Sequence, residues 1–106
     1  MIAERYHHSP AELQRFAVIL KGENFLMNDA RGAPAWMGFY IVRTATAADQ
    51  PTAEKLALFD LEAEIRSSPK MKDVFFEVGS LAVEEAGPLA DEIDDCDSGF
   101  IFYAMD

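Results

Sequence analysis

Ser9-Pro10-Ala11-Glu12-Leu13-Gln14-Arg15-Phe16-Ala17-Val18-Ile19-Leu20-Lys21-Gly22 is the stretch on which the reading of this chain turns. Ser9 suits a helix N-cap, Pro10 suits the first helical position, and Glu12 completes a capping box three residues after the cap. Leu13, Phe16, Ala17 and Leu20 recur at helical spacing, and Gly22 stands where a left-handed C-terminal residue belongs. The pattern predicts a helix over Ser9–Lys21.

Beyond it, Asn24 to Met27 and Trp36 to Thr46 flank the turn-rich Asn28-Asp29-Ala30-Arg31-Gly32-Ala33-Pro34. Phe39-Tyr40-Ile41-Val42 is aromatic and β-branched, so the two segments predict a hairpin. Asp49 to Pro51 opens a second helix, which Pro69 stops because a residue preceding proline avoids the helical region. Its apolar residues form two stripes, Leu58, Leu61 and Ile65 on one side and Leu56, Phe59 and Ala63 nearly opposite. One stripe docks a helix on its own core; the second needs another cover.

Met71 to Ala86 fits one helical face, yet Val74-Phe75-Phe76 favours a strand. The expectation is a strand around Val74–Val78 and a short helix from Ser80. Pro88 then restarts a helical turn through Ile93. Phe100-Ile101-Phe102-Tyr103-Ala104-Met105 is apolar on both sides and reads as an interior strand, or as an edge strand covered by a partner. Helix, hairpin, helix and strand do not make a regular βαβ series. The predicted fold is therefore one small α+β domain over residues 1–106, with an antiparallel or mixed sheet packed against two or three helices.

A chain of 106 residues has room for one core. The opening Met1–Tyr6 is too polar for a signal peptide, no apolar run is long enough to span a membrane, and Cys96 is the single cysteine, which together suit a cytoplasmic protein. The net charge of −10 is lopsided: residues 1–53 carry five basic and five acidic side chains, residues 54–106 four and fourteen. Glu84, Glu85, Asp91, Glu92, Asp94, Asp95 and Asp97 follow one another with no intervening Lys or Arg. Such a surface repels phosphate backbones and anionic lipids, which argues against direct nucleic-acid and membrane binding.

Chemistry-bearing motifs are scarce. Setting Gly99 as the sixth residue of a calcium loop puts Cys96 at a ligand position and Met105 at the twelfth, both poor calcium ligands. Cys96 sits among Asp94, Asp95 and Asp97, which oppose a thiolate. His7 and His8 are adjacent and cannot chelate one ion together from an extended segment. The sequence holds no phosphate-binding glycine loop, nucleophile elbow or Cys-x-x-Cys pair. No cofactor or metal is called for.

The functional expectation is a non-enzymatic acidic protein-binding module, an inhibitor or regulator of a basic protein partner. Glu84, Glu85, Asp91, Glu92, Asp94 and Asp95 would meet the partner's charge, and Leu56 and Phe59 would supply apolar contact. The two-striped helix and the apolar C-terminal strand also point to a homodimer. The alternative is a small-molecule-binding protein or small enzyme with an aromatic pocket at or near a dimer interface, in which Trp36, Tyr40 and Tyr103 contact the ligand.

Overall fold

Phe16, Val18 and Leu20 are buried, while Arg15, Ala17 and Ile19 between them are half-buried, a period of two and not of 3.6. The computed structural model, which describes residues 12–69 and 74–105, accordingly places strand β1 at Gln14–Asn28. This overturns the helix expected over Ser9–Lys21. Ser9, Pro10 and Ala11 of its capping box lie outside the described residues, and Glu12 and Leu13 are exposed and non-helical. Phe16 and Leu20 satisfy both periodicities. The balance falls to the strand because β1 gains hydrogen-bonded neighbours along both edges, which a helix there would forgo.

Strand β2, Pro34–Ala47, pairs antiparallel with β1 from Gln14↔Ala47 to Asn28↔Pro34, so the expected hairpin is present and longer than its predicted arms. Its loop is tied by Asp29, whose carboxylate accepts the N–H groups of Arg31 and Ala33 at 2.9 and 3.0 Å. Gly32, at φ 83°, takes the left-handed turn. Helix α1 follows at Gln50–Ser67, as expected. Asp49 caps it by accepting the Thr52 N–H at 2.9 Å, and Pro51 lies in the first turn.

Strands β3 (Phe75–Glu77) and β4 (Ser80–Pro88) lie in turn along the free edge of β1. The strand expected around Val74–Val78 is there, whereas the helix expected from Ser80 is β4. Leu81 and Val83 alternate towards the core opposite Gly22 and Leu20, so pairing again decides against the helical period. The helical turn expected from Pro88 is a single turn closed by the Ile93 N–H on the Ala90 carbonyl. Strand β5 (Ile101–Ala104) pairs with β2 and ends the sheet. Among the described residues it is an edge strand, so the interior placement does not hold there. All pairings are antiparallel, with β3 and β4 sharing one edge in the order β3/β4–β1–β2–β5. The α+β class stands, but among the described residues one helix, not two or three, packs on the sheet.

The core lies between α1 and one face of the sheet. Ala53, Ala57, Leu61 and Ile65 recur every four residues on α1 and are buried with Phe16, Val18, Leu20, Ile41 and Phe39. Each buried Val, Leu or Ile there contributes about 1.5–3 kcal/mol. An extra residue in β1 between Gly22 and Phe25, with Asn24 at φ 62°, shifts the alternation and turns Phe25 into the core. Phe25, Phe39, Phe75, Phe100 and Phe102 then form one aromatic cluster, with the Phe25 and Phe39 ring centroids 5.0 Å apart.

Candidate functional site

Alternation places Trp36, Gly38, Tyr40, Val42 and Thr44 of β2 on the face away from α1. Register adds Ile19 and Lys21 of β1, Ala82 and Glu85 of β4, and Ile101 and Tyr103 of β5. Among the described residues no helix covers this open face. Trp36 is 46% exposed and Ile101 59% exposed, high values for large apolar side chains on a sheet.

Tyr103 lies across Gly38, where an added Cβ would come within 2.3 Å of its ring. That approach brings Tyr103 beside Tyr40, with ring centroids 5.6 Å apart. Lys21 sits over the Tyr40 ring at 5.6 Å and pairs with Glu23 at 3.4 Å. The Glu23 hydrogen bond first, and then the Tyr103 and Tyr40 phenols, hold the Lys21 ammonium above its ordinary pKa. Lys21, Glu23, Tyr40, Ile101, Tyr103 and Met105 line a broad shallow hollow of about 510 Å³. Trp36, Tyr40 and Tyr103 therefore share one face, although the hollow lies open to solvent and does not enclose a ligand.

The acidic segment crosses one end of this face as a fastened strap. Arg15 donates to Asp95 at 2.8 Å and to the carbonyls of Ala90 and Asp91 at 2.9 and 3.2 Å, and it also reaches the Ile93 carbonyl. Thr44 Oγ1 accepts the Cys96 N–H at 2.9 Å, and Asp97 accepts the Thr44 N–H at 2.6 Å. Ser98 exchanges hydrogen bonds with Val42, its N–H donating to the Val42 carbonyl and its hydroxyl accepting the Val42 N–H, both at 2.9 Å. Arg43 ties the Ser98 carbonyl to Glu64 of α1 at 2.8 and 3.3 Å. The strap thus covers the edge of β2 that β5 leaves free.

Asp95 and Asp97 are occupied in this way. Glu84, Glu85, Asp91, Glu92 and Asp94 are exposed and have no ion pair among the described residues. Glu85, opposite Ile19, points to the open face, and the strap acids stand at its end. Leu56 and Phe59, 42% and 67% exposed, point outward from α1 on the other side of the sheet. The fold therefore does not bring these two apolar residues together with the acids. Ile101 and Met105, which stand beside Tyr40 and Tyr103 in the hollow, were visible in the sequence only as members of an apolar strand.

Cys96 is half-buried against Thr44. His7 and His8 lie outside the described residues. Among the described residues no group of three or more His, Cys, Asp or Glu side chains could hold a metal ion, and no helix is long and apolar enough to cross a membrane. The chain matches no protein-family model, no curated protein and no solved structure.

Proposed function

We propose that this chain is an acidic, non-enzymatic protein-binding module of the cytoplasm that regulates a basic protein partner through the open face of its sheet. The observation that carries this reading is the presence on one face of both bare aromatic surface and carboxylates without ion pairs, the aromatics towards the hairpin end of β1 and the strap at its Arg15 end. Trp36, Tyr40, Ile101 and Tyr103 supply apolar contact, Glu85 stands opposite Ile19 on the same face, and the strap that carries Asp91, Glu92 and Asp94 is fastened at Arg15, about 20 Å along β1 from Lys21. Aromatic side chains at the centre of an interface supply affinity, while surrounding charge speeds encounter and selects the partner. Fastening by Arg15 supports the role, since a strap backbone already held in place loses less conformational freedom on binding. Leu56 and Phe59 belong to a separate surface and are not part of this one.

A photo-crosslinking residue placed at Tyr103, with Phe59 as the comparison site, tests the proposal in host lysate. The expected product is one basic protein captured from Tyr103, lost when Glu85, Asp91 and Asp94 are all changed to Lys. With that protein purified, the triple reversal slows association about tenfold or more at physiological salt. Capture from Phe59 alone, or association rates indifferent to the reversals, would refute the reading.

A further inference from the structure

The two edges of the sheet are built differently. The β4 edge is blunted by Glu84 and Glu85, by a register shift opposite Ile19 and Leu20, and by Pro88 at its end. The part of β2 beyond β5 has its donors taken by Ser98 and Asp97. β5 has none of these devices. Gly99 to Met105 contains no charged residue and no proline, and Ile101 and Phe102 are exposed. Among the described residues nothing pairs with its outer edge.

The phase of the ladder identifies the free groups. The Met105 N–H donates to the Trp36 carbonyl at 3.0 Å, so Tyr103 and Ile101 also bond to β2. By alternation, the N–H and C=O of Phe102 and Ala104 point away from the sheet.

We propose that β5 is a self-pairing edge, at which two copies of this chain join antiparallel with Phe102 of one chain opposite Ala104 of the other. A neutral strand offers a basic or acidic foreign strand no charge to meet, whereas a second copy brings the same neutral apolar run. The register sets each bulky Phe102 against a small Ala104 and leaves four backbone hydrogen bonds to form. Charge also selects the orientation. With antiparallel strands the two acidic straps lie at opposite ends of a seven-residue run, about 23 Å apart, well beyond the ~8 Å screening length. A parallel pairing would bring them together. Because so short an edge buries less than the about 1,000 Å² of a stable interface, the dimer is weak, with a dissociation constant on the order of tens of micromolar. This inference is independent of the basic partner, which uses the open face and not the edge.

Sedimentation velocity over about 5–500 μM, at physiological and at raised salt, reads the self-association. The expected result is a sedimentation coefficient that rises with concentration, more steeply at high salt, where repulsion between two chains of charge −10 is screened. Ala104→Pro removes only an outward N–H, so it weakens dimerisation at least about tenfold while leaving the circular dichroism spectrum near wild type. Should the proline disturb β5 itself, Ala104→Lys tests the same edge. A chain monomeric throughout at both salts overturns the proposal, as does a dimer that persists in a folded Ala104 variant.

Discussion

Replacing Arg15 with Ala removes the side chain that holds the Ala90–Asp95 part of the acidic strap. Its guanidinium serves four acceptors in the strap, the Asp95 carboxylate and the carbonyls of Ala90, Asp91 and Ile93. The Asp95 pair counts for little, because that carboxylate is 65% exposed and exposed pairs contribute about 0–1 kcal/mol. The three carbonyls share one guanidinium nitrogen with two N–H groups, so they count as two hydrogen bonds of about 0.5–1 kcal/mol each, the low end of the usual range, since water can replace the donor. Together with the Asp95 pair they come to about 2 kcal/mol. For a chain of this size, that lowers Tm by roughly 8–15 °C. Arg15→Lys should recover less than half, because an ammonium on a flexible stem cannot span four divergent acceptors. Urea denaturation gives the free energy, and amide exchange at Ile93, Asp95 and Cys96 reports the strap directly. A variant within about 0.5 kcal/mol of wild type, with unchanged exchange in the strap, would refute the claim that Arg15 holds it.

Two further substitutions test the frame beneath the open face. At Gly79 an added Cβ would lie 1.8 Å from the Glu23 carbonyl oxygen and 2.4 Å from that of Asn24, both backbone atoms that cannot swing aside. Gly79→Ala is therefore expected to cost about 3 kcal/mol or more in chemical denaturation, whereas Gly87→Ala, which meets nothing within 4 Å, is the neutral control. Asp49→Ala removes the helix cap. Hydrogen bonds from Thr52, hydroxyl first and backbone N–H second, hold the Asp49 carboxyl below its ordinary value of 3.8. A depressed folded-state pKa stabilises above the unfolded value and loses that effect as pH falls through the folded one. Melting curves of wild type and Asp49→Ala should differ by several degrees near neutral pH and converge in strong acid; a gap independent of pH would contradict the capping role.

Elements whose signals are local were legible in the sequence. Asp49, Pro51 and the Ser68-Pro69 stop bound α1 because cap chemistry acts within one turn. The hairpin was legible from its turn, where Asp29 bonds to residues two and four positions on. β1 and β4 were misread for one shared reason. Phe16 and Leu20, or Leu81 with its neighbours, suit both a helical face and an alternating strand, and short-range spacing cannot separate the two. The choice is made by hydrogen bonds to segments far along the chain. The candidate site divides similarly. Its aromatic and acidic residue types were evident, while the guess that Leu56 and Phe59 would join the acids assumed a proximity that α1 on the opposite face does not provide.

By itself, then, the sequence determined an acidic α+β chain whose charge is gathered towards its C-terminal half, together with helix α1 and a turn-defined hairpin, because composition, charge and the Asp49 cap are properties of residues and their near neighbours. Tertiary structure alone decided that the first apolar stretch is a strand, that Trp36, Tyr40 and Tyr103 share an open face, and that Arg15 clasps a carboxylate 80 residues away. Each of those depends on strand register, and register arises only when distant segments satisfy one another's backbone groups and bury a common face.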